Sequence, residues 1–296
     1  MLHGPTHDGV VIVDKPEGMS SFAVVKEVRR LLGVGKAGHT GTLDPLATGV
    51  LPICLGEATK IAGLLIAEDK EYAASARLGQ RTDTLDRDGQ LLEERDPSGV
   101  TREQVEAELG VMVGAQLQVP PSFSAVRSGG VRAYERARRG EKVDLAARQV
   151  IVHRLELQRF TPPDLDLEVA CSKGTFIRSI VADLGERLGC GAVVTALRRL
   201  RSGPFEVARA VRLDELEERG RRGELSVISI DEALSHLPAV EVATADVARL
   251  RQGQPVAGTP PTSPTGLLRL RSEGVLVALG EEREGGYWPK RVFHLG

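Results

Sequence analysis

Residues 37–49 read Ala37-Gly38-His39-Thr40-Gly41-Thr42-Leu43-Asp44-Pro45-Leu46-Ala47-Thr48-Gly49. Two glycines, Gly38 and Gly41, permit tight backbone geometry before the aspartate. Pro45 biases Asp44 toward an extended backbone, so its carboxylate projects from a loop instead of winding into a helix. A carboxylate presented in this way suits nucleophilic or general-base chemistry. Composition alone favours a plainer reading, an Asp-Pro turn that caps a helix. His39 shares the loop and is read either as a structural hydrogen-bonding group or as a substrate contact.

Upstream, the apolar run Val10 to Val13 reads as a strand that enters a turn at Asp14-Lys15-Pro16-Glu17-Gly18. Ser20 or Ser21 can cap a helix with apolar positions Phe22, Val25, Val28 and Leu32, stopped by Gly33. Downstream, Val50 to Leu55 is apolar, and a short helix is expected from Glu57 to Ile66. Tyr72, Ala74, Ala76 and Leu78 alternate with polar neighbours, which predicts a strand with one buried face. Residues 81–98 are acidic and rich in turn formers and read as an exposed loop. Thr101 and Gln104 form a capping box for a helix that ends near Gly110. Residues 120–148 read as irregular and basic. Leu165, Leu167, Val169 and Cys171 alternate again, Ile177 to Leu188 carry a helical apolar face, and Val193 to Leu200 reads as a strand. After Pro238 the texture shifts to short strand-like runs punctuated by Gly and Pro. The expected organisation is an α+β domain over 1–238 with a mixed, mostly antiparallel sheet, then a small β-rich domain over 239–296.

Bulk properties narrow the function. The 296 residues carry a formal net charge of −2 with 27% charged residues, so any nucleic-acid contact must come from local patches. Cys54, Cys171 and Cys190 lie far apart and form no Cys-x-x-Cys pair, which argues against zinc and fits a reducing cytoplasm. The first residues lack a basic stretch followed by an apolar one, so no signal peptide is expected. No apolar run approaches the roughly 18 residues that a membrane span needs. Gly33-Val34-Gly35-Lys36-Ala37 resembles a phosphate loop, but Arg30 stands where the first glycine belongs and Ala37 where Ser or Thr belongs. Thr84 to Gly89 hints at a calcium loop, yet its twelfth position would be the cation Arg95.

Two basic clusters remain. Arg127, Arg132, Arg136, Arg138, Arg139, Lys142 and Arg148 face only three acidic residues over the same stretch, and Arg198, Arg199 and Arg201 form a second group. Either can be an ordinary solvated face; together they favour RNA backbone binding. Arg178, after Ser172-Lys173-Gly174-Thr175-Phe176-Ile177, is read either as a surface arginine or as the partner of a buried carboxylate.

Taken in order, several long motifs resemble the TruB family of tRNA pseudouridine synthases. They are Val13-Asp14-Lys15-Pro16-Glu17-Gly18-Met19-Ser20-Ser21, the 37–49 segment, Leu55-Gly56-Glu57-Ala58-Thr59-Lys60, Arg77-Leu78-Gly79-Gln80-Arg81-Thr82-Asp83-Thr84, Cys171 to Arg178, and Leu197-Arg198-Arg199-Leu200. The resemblance implies a pseudouridine synthase core, with a tRNA-binding insertion at about 81–160, and a C-terminal PUA-like RNA-binding domain. It implies a bacterial stand-alone enzyme that isomerises uridine-55 in the T-loop of tRNA. It makes Asp44 the catalytic aspartate, Arg178 its ion-pair partner and Tyr72 the ring that stacks on the target base. His39 contacts the flipped-out region, Leu197 and Phe176 line the pocket, and Lys15, Arg136 and Arg139 join the substrate contacts. Phe176 stands where the family often has Tyr, so a hydroxyl is lost there.

The implied reaction breaks the bond from ribose C1′ to uracil N1 and remakes it to C5. Nothing is added or oxidised, so no metal and no organic cofactor is expected. The uridine must leave its stack, as in other base-modifying enzymes. Asp44 can attack C1′, attack C6 or remove a ribose proton, and the final C5 proton can pass to Asp44 or Tyr72; sequence leaves these open. The expected partner is the tRNA T-arm stem-loop, bound by a monomer with no protein partner and no membrane. Two rival readings are an RNA-binding tRNA folding chaperone, which needs no Asp44, and an RNA-guided catalytic subunit, against which the long 81–160 stretch argues.

Overall fold

The computed structural model describes residues 8–295, apart from 125, 129, 130, 142 and 258–265; of 127, 128 and 132 the backbone alone is described. The chain begins with strand β1 (Gly9–Lys15), helix α1 (Ser21–Leu32), the short strand β2 (Ala37–His39) and strand β3 (Ala47–Leu55). A 3-10 turn runs into α2 (Ala62–Ile66), followed by β4 (Lys70–Leu78), a ribbon of β5 (Gln80–Thr82) and β6 (Leu91–Glu94), α3 (Arg102–Val111) and β7 (Gly114–Gln118). Next come the small ribbon β8 (Arg127–Ser128) and β9 (Val131–Arg132), α4 (Ala133–Ala137), β10 (Arg148–Thr161), β11 (Asp164–Cys171) and α5 (Ile177–Arg187). Strands β12 (Ala192–Ser202), β13 (Phe205–Glu206) and β14 (Val211–Arg212), then α6 (Leu213–Arg222) and α7 (Ile230–Ala233), complete the first part. The C-terminal part holds β15 (Ala239–Glu241), α8 (Val247–Arg251), β16 (Leu268–Ser272), β17 (Val275–Arg283) and β18 (Gly286–Val292).

The main sheet runs β14-β1-β3-β12-β4-β11-β10-β7, with β2 on β3 and β13 on β12. Only the β1–β14 and β3–β12 pairs are parallel, so the α+β reading with a mixed, mostly antiparallel sheet holds. Local chemistry explains the elements. In α1 the Ser20 side chain accepts the Ala23 N–H, and Gly33 ends the helix at φ 64°, a left-handed conformation that glycine adopts freely. The capping box at Thr101 and Gln104 forms both of its bonds and starts α3. In β4, Lys70, Tyr72, Ala74, Ala76 and Leu78 all turn to the buried face, the period-2 pattern of a pleated strand. That face packs with β11, α3 and α5 through Leu165, Leu167, Val169, Leu109, Ile180 and Leu184.

Sequence periodicity does not anticipate two features. Strand β10 is 14 residues long, and its bulges between Val152 and Arg154 and between Leu157 and Arg159 break the alternation that would reveal it. The acidic stretch 81–98 is not simply an exposed loop: it forms the β5–β6 ribbon and buries Asp86.

The second sheet has the order β15-β16-β17-β18. On one side of it, Leu268, Leu270 and Tyr287 cluster with Leu250 and Val256. Leu276, Leu279 and Phe293, on the other side, join Val10, Ile12, Val50, Cys54 and Ile61 in a common core with the first part. Lys60 Nζ also donates to the Val292 carbonyl (2.8 Å), and the His294 N–H to Glu57 (2.8 Å). The β-rich end is therefore packed against β1 and β3 through apolar contact.

Candidate active site

The Asp44 segment connects β2 to β3 at the centre of the main sheet. The Ala47 N–H donates to the Asp44 carbonyl (3.0 Å), so the Asp-Pro turn exists as a backbone feature and leaves the carboxylate free for other work. The motif at 13–21 holds this loop from behind. The Gly18 N–H (2.8 Å) and Lys15 Nζ (3.1 Å) both donate to the Pro45 carbonyl. Ser21 Oγ donates to the Leu43 carbonyl (3.0 Å) and accepts the Leu43 N–H (2.8 Å). From the other side, Arg199 Nε donates to the Val50 carbonyl (2.7 Å) and Nη2 to the Gly41 carbonyl (3.3 Å). Gly49 has φ 95°, and a Cβ there would lie 2.2 Å from the Arg199 carbonyl oxygen, so only glycine lets β3 run this close to β12.

Lys15 thus braces the loop from behind. It is fully buried, its ammonium bonds the carbonyls of Pro16 and Pro45, and burial pushes its pKa down to about 8. Ser21 gives a direct test of the brace. Ser21→Ala leaves a buried N–H and a buried C=O of Leu43 without their partner, which costs about 2–3 kcal/mol and slows turnover by loosening the loop. Chemical denaturation measures the stability change, and a loss under about 0.5 kcal/mol contradicts this role.

The Asp44 carboxylate, 30% exposed, meets Arg178 Nη2 at 2.9 Å. Arg178 sits in the first turn of α5 with its side chain only 3% exposed. Its Nη1 donates to the Thr84 carbonyl (2.6 Å), its Nη2 to the Phe123 carbonyl (2.9 Å), and Nη1 lies 3.5 Å from Asp86 Oδ2. One buried guanidinium therefore serves two carboxylates, one open to the cleft and one enclosed. Burial raises the pKa of Asp86, while a hydrogen bond from Thr84 Oγ1 (2.6 Å) and the charge of Arg178 oppose the rise. Leu85, at φ 63°, takes the left-handed conformation beside it, an uncommon state for a side chain of this kind.

Helix α5 has no side-chain cap of its own: Phe176 at its N-terminus is extended. Gln118, 2% exposed, supplies what is missing. Its Oε1 accepts the Phe176 N–H (2.7 Å) and its Nε2 donates to the Phe176 carbonyl (3.1 Å).

A cleft of about 440 Å³ opens over Asp44, within the size range of small-ligand sites. His39, Asp44, Tyr72, Phe176, Arg178 and Leu197 all line it, so these six sequence candidates meet at one place, while Lys15, Arg136 and Arg139 do not line it. The sheet explains this. Leu197 on β12 is in register with Ala47 of β3, and Tyr72 on β4 is in register with Arg199 of β12. Burial pushes the Tyr72 phenol above its ordinary pKa, with the charge of Arg199 acting the other way. His39 Nδ1 accepts the Gly41 N–H (3.3 Å). Lys70 and Arg148, absent from the sequence-based site, also line the cleft. Lys70 Nζ donates to the carbonyls of Ile66 (2.7 Å) and Glu68, and burial pushes its pKa down to about 8. A larger hollow of about 780 Å³ lies along Asp14, Arg30, Arg198 and Arg212, but each of these arginines is held by a carboxylate: Asp14, Glu27 or Asp214.

The two basic clusters differ. Around α4, Arg139 is 66% exposed, and Arg136 and Arg139 share Glu141 at 2.8 and 3.8 Å. Lys142 and the side chains of Arg127 and Arg132 lie outside the described residues. The second cluster does not form a basic face: Arg198 is paired with Asp14 (2.8 Å), Arg201 with Glu71 (2.7 Å), and Arg199 is buried. Among the described residues, no group of His, Cys, Asp and Glu is placed to hold a metal ion, and no helix is long and apolar enough to cross a membrane.

This architecture is similar to chains of solved H/ACA ribonucleoprotein complexes. A chain of the archaeal box H/ACA sRNP Nop10-Cbf5 complex superposes with TM-score 0.74 at 26% identity, covering 98% of this chain and 87% of that one. A chain of an H/ACA RNP bound to a substrate RNA containing 2′-deoxyuridine gives the same TM-score at 25% identity, covering 98% and 86%. Family models and sequence relatives place the chain among the pseudouridine synthases, a class of isomerases. The family model described as TruB family pseudouridylate synthase (N terminal domain) matches residues 29–177. Two C-terminal models follow, tRNA pseudouridylate synthase B C-terminal domain over 178–234 and Pseudouridine synthase II TruB, C-terminal over 238–293. The tRNA pseudouridine synthase B of Yersinia enterocolitica is 44% identical over 96% of this chain and 90% of its own length; that of Aromatoleum aromaticum is 43% identical over 96% and 92%. The chain belongs to the TruB family of pseudouridylate synthases.

Proposed function

We propose that this enzyme isomerises uridine-55 in the T-loop of tRNA to pseudouridine, with Asp44 as its catalytic carboxylate. The observation that carries the reading is the Asp44–Arg178 pair at 2.9 Å, set at the floor of a cleft that Tyr72 and Leu197 also line. The names of the relatives, tRNA pseudouridine synthase B, support tRNA as the substrate.

The atoms balance without any added group. The C1′–N1 bond breaks, C1′ bonds to C5, the C5 hydrogen leaves as a proton, and N1 gains one. Arg178 Nη2 pairs with one Asp44 carboxylate oxygen at 2.9 Å, and the second oxygen remains for the substrate. Tyr72 offers a ring face to the extruded base. Leu197 and Phe176 keep water from an opened glycosyl intermediate. Because burial keeps the Tyr72 phenol protonated, Asp44 is the better acceptor for the C5 proton. His39 contacts the RNA beside the extruded base.

The segment around α4 clamps the tRNA backbone, and the sheet after Pro238 reads as a PUA-like domain that grips a more distant part of the tRNA. The enzyme acts as a monomer with no protein partner. Arg136→Ala with Arg139→Ala is expected to weaken tRNA binding and to lower the slope of log Kd against log salt by about one to two. An unchanged slope assigns this patch to the solvated surface.

The cellular test maps pseudouridine in tRNA by carbodiimide labelling. Cells lacking the protein should lose one T-loop modification, restored by the wild-type chain and not by Asp44→Asn. An unchanged pattern in the deleted strain refutes the proposal.

A further inference from the structure

Arg148 opens β10, in register with Gln118 of β7, and lines the same cleft as Asp44. Its guanidinium stacks on the Phe176 ring, 4.4 Å from the centroid. Its Nε and Nη2 are buried and have no hydrogen-bond partner among the described residues. Burial lowers its pKa, and no neighbouring carboxylate offsets the effect. This sets Arg148 apart from Arg178, Arg198 and Arg201, each of which has a carboxylate within 2.9 Å.

Two buried donors on a charged group are costly to leave unmade, so an orphaned guanidinium edge in a cleft marks the place of a ligand acceptor. Stacking uses the face of the guanidinium. Nε and Nη2 then lie side by side in its plane, the fork that meets two oxygens of one anion. A neutral uracil carbonyl offers one oxygen and only a partial charge. A phosphodiester offers two oxygens and a full charge, and one lies on each side of any uridine drawn into the cleft.

We propose that the Nε–Nη2 edge of Arg148 is a phosphate subsite that binds one of the two phosphodiesters flanking the target uridine. This rests on the RNA-isomerase reading above and assigns a specific role to an arginine that sequence places only within a diffuse basic stretch. Phe176 then acts as the platform that holds the guanidinium, a task that needs a ring and no hydroxyl.

The test uses the full chain and three T-arm stem-loops: one unmodified, one with a neutral methylphosphonate 5′ of the target uridine, one with it 3′. With wild-type enzyme, one methylphosphonate should lower kcat/KM by about 10- to 100-fold, the range for a charge-assisted hydrogen-bond pair. Arg148→Gln should lose a similar factor on the unmodified RNA and little more on that methylphosphonate RNA, because both changes remove one contact. Arg148→Lys should recover part of the loss. Wild-type turnover that neither methylphosphonate affects overturns the subsite, whether or not the variants fold. Losses from Arg148→Gln that multiply with both methylphosphonates overturn it as well, and assign Arg148 to the fold or to the base. Absence of wild-type turnover on the unmodified stem-loop overturns the isomerase reading itself, and the subsite with it.

Discussion

Asp44→Asn should leave the protein folded and lower its turnover by at least about 10⁴-fold, roughly 5.4 kcal/mol of transition-state stabilisation. The substitution keeps the shape of the side chain, and the amide oxygen can still accept from Arg178 Nη2, which lies 2.9 Å away. The turn at Ala47 uses the Asp44 carbonyl and not its side chain, and Lys15, Ser21 and Arg199 hold the loop through backbone atoms. Unfolding should therefore shift by less than about 1 kcal/mol. Every route open to this site, attack at C1′, attack at C6 or removal of a ribose proton, needs an anionic oxygen that an amide cannot supply. RNA binding should persist, because the basic side chains proposed to hold the backbone, Arg136 and Arg139, lie around α4. A variant that binds and turns over within tenfold of wild type removes Asp44 from the chemistry.

Arg178→Met is expected to harm both stability and activity. It strips the partner from Asp86, which is 6% exposed, and leaves the carbonyls of Thr84 and Phe123 without their donor. Removing one partner of a buried pair costs about 3–5 kcal/mol. The two effects separate in a double variant. Adding Asp86→Asn removes the uncompensated buried charge and should recover part of the stability, yet Asp44 stays unpaired, so activity should not return. Calorimetry or denaturant unfolding gives the first quantity and single-turnover kinetics the second. A loss of stability below about 1 kcal/mol in the single variant contradicts the picture of one guanidinium serving two carboxylates.

Much of the site is legible in the chain. The Gly-rich segment before Asp44 and Pro45 after it announce a presented carboxylate, and the alternation around Tyr72 and the helical period after Ile177 place two further partners on regular elements. The supports are harder to read. Ser21 and Asp86 look like a capping residue and part of an acidic loop, Gln118 carries no signal of its own, and only long-range register brings the three to the site. Gln118 reaches Phe176 because β7 and β10 carry it there, and Asp86 is buried because Leu85 takes a left-handed turn. Lys15 shows the converse: the resemblance makes it a substrate contact, and nothing in the sequence announces that its ammonium braces the Asp44 loop through two backbone carbonyls. Arg198 and Arg201 count as basic in a linear tally and are neutralised by Asp14 and Glu71, residues distant in sequence. Charge counted along a chain does not reveal which cations are already partnered.

The most direct test follows the hydrogen that the isomerisation must expel. A T-arm stem-loop carrying tritium at C5 of its uridines is incubated with a molar excess of the purified chain, and tritium released to water is counted over time. Forming the C1′–C5 bond requires that atom to leave, so the wild-type chain should release one equivalent per stem-loop, and Asp44→Asn, bound to the same RNA, should release none. Full release by Asp44→Asn, or none by the wild-type chain, would contradict an Asp44-driven uridine isomerase.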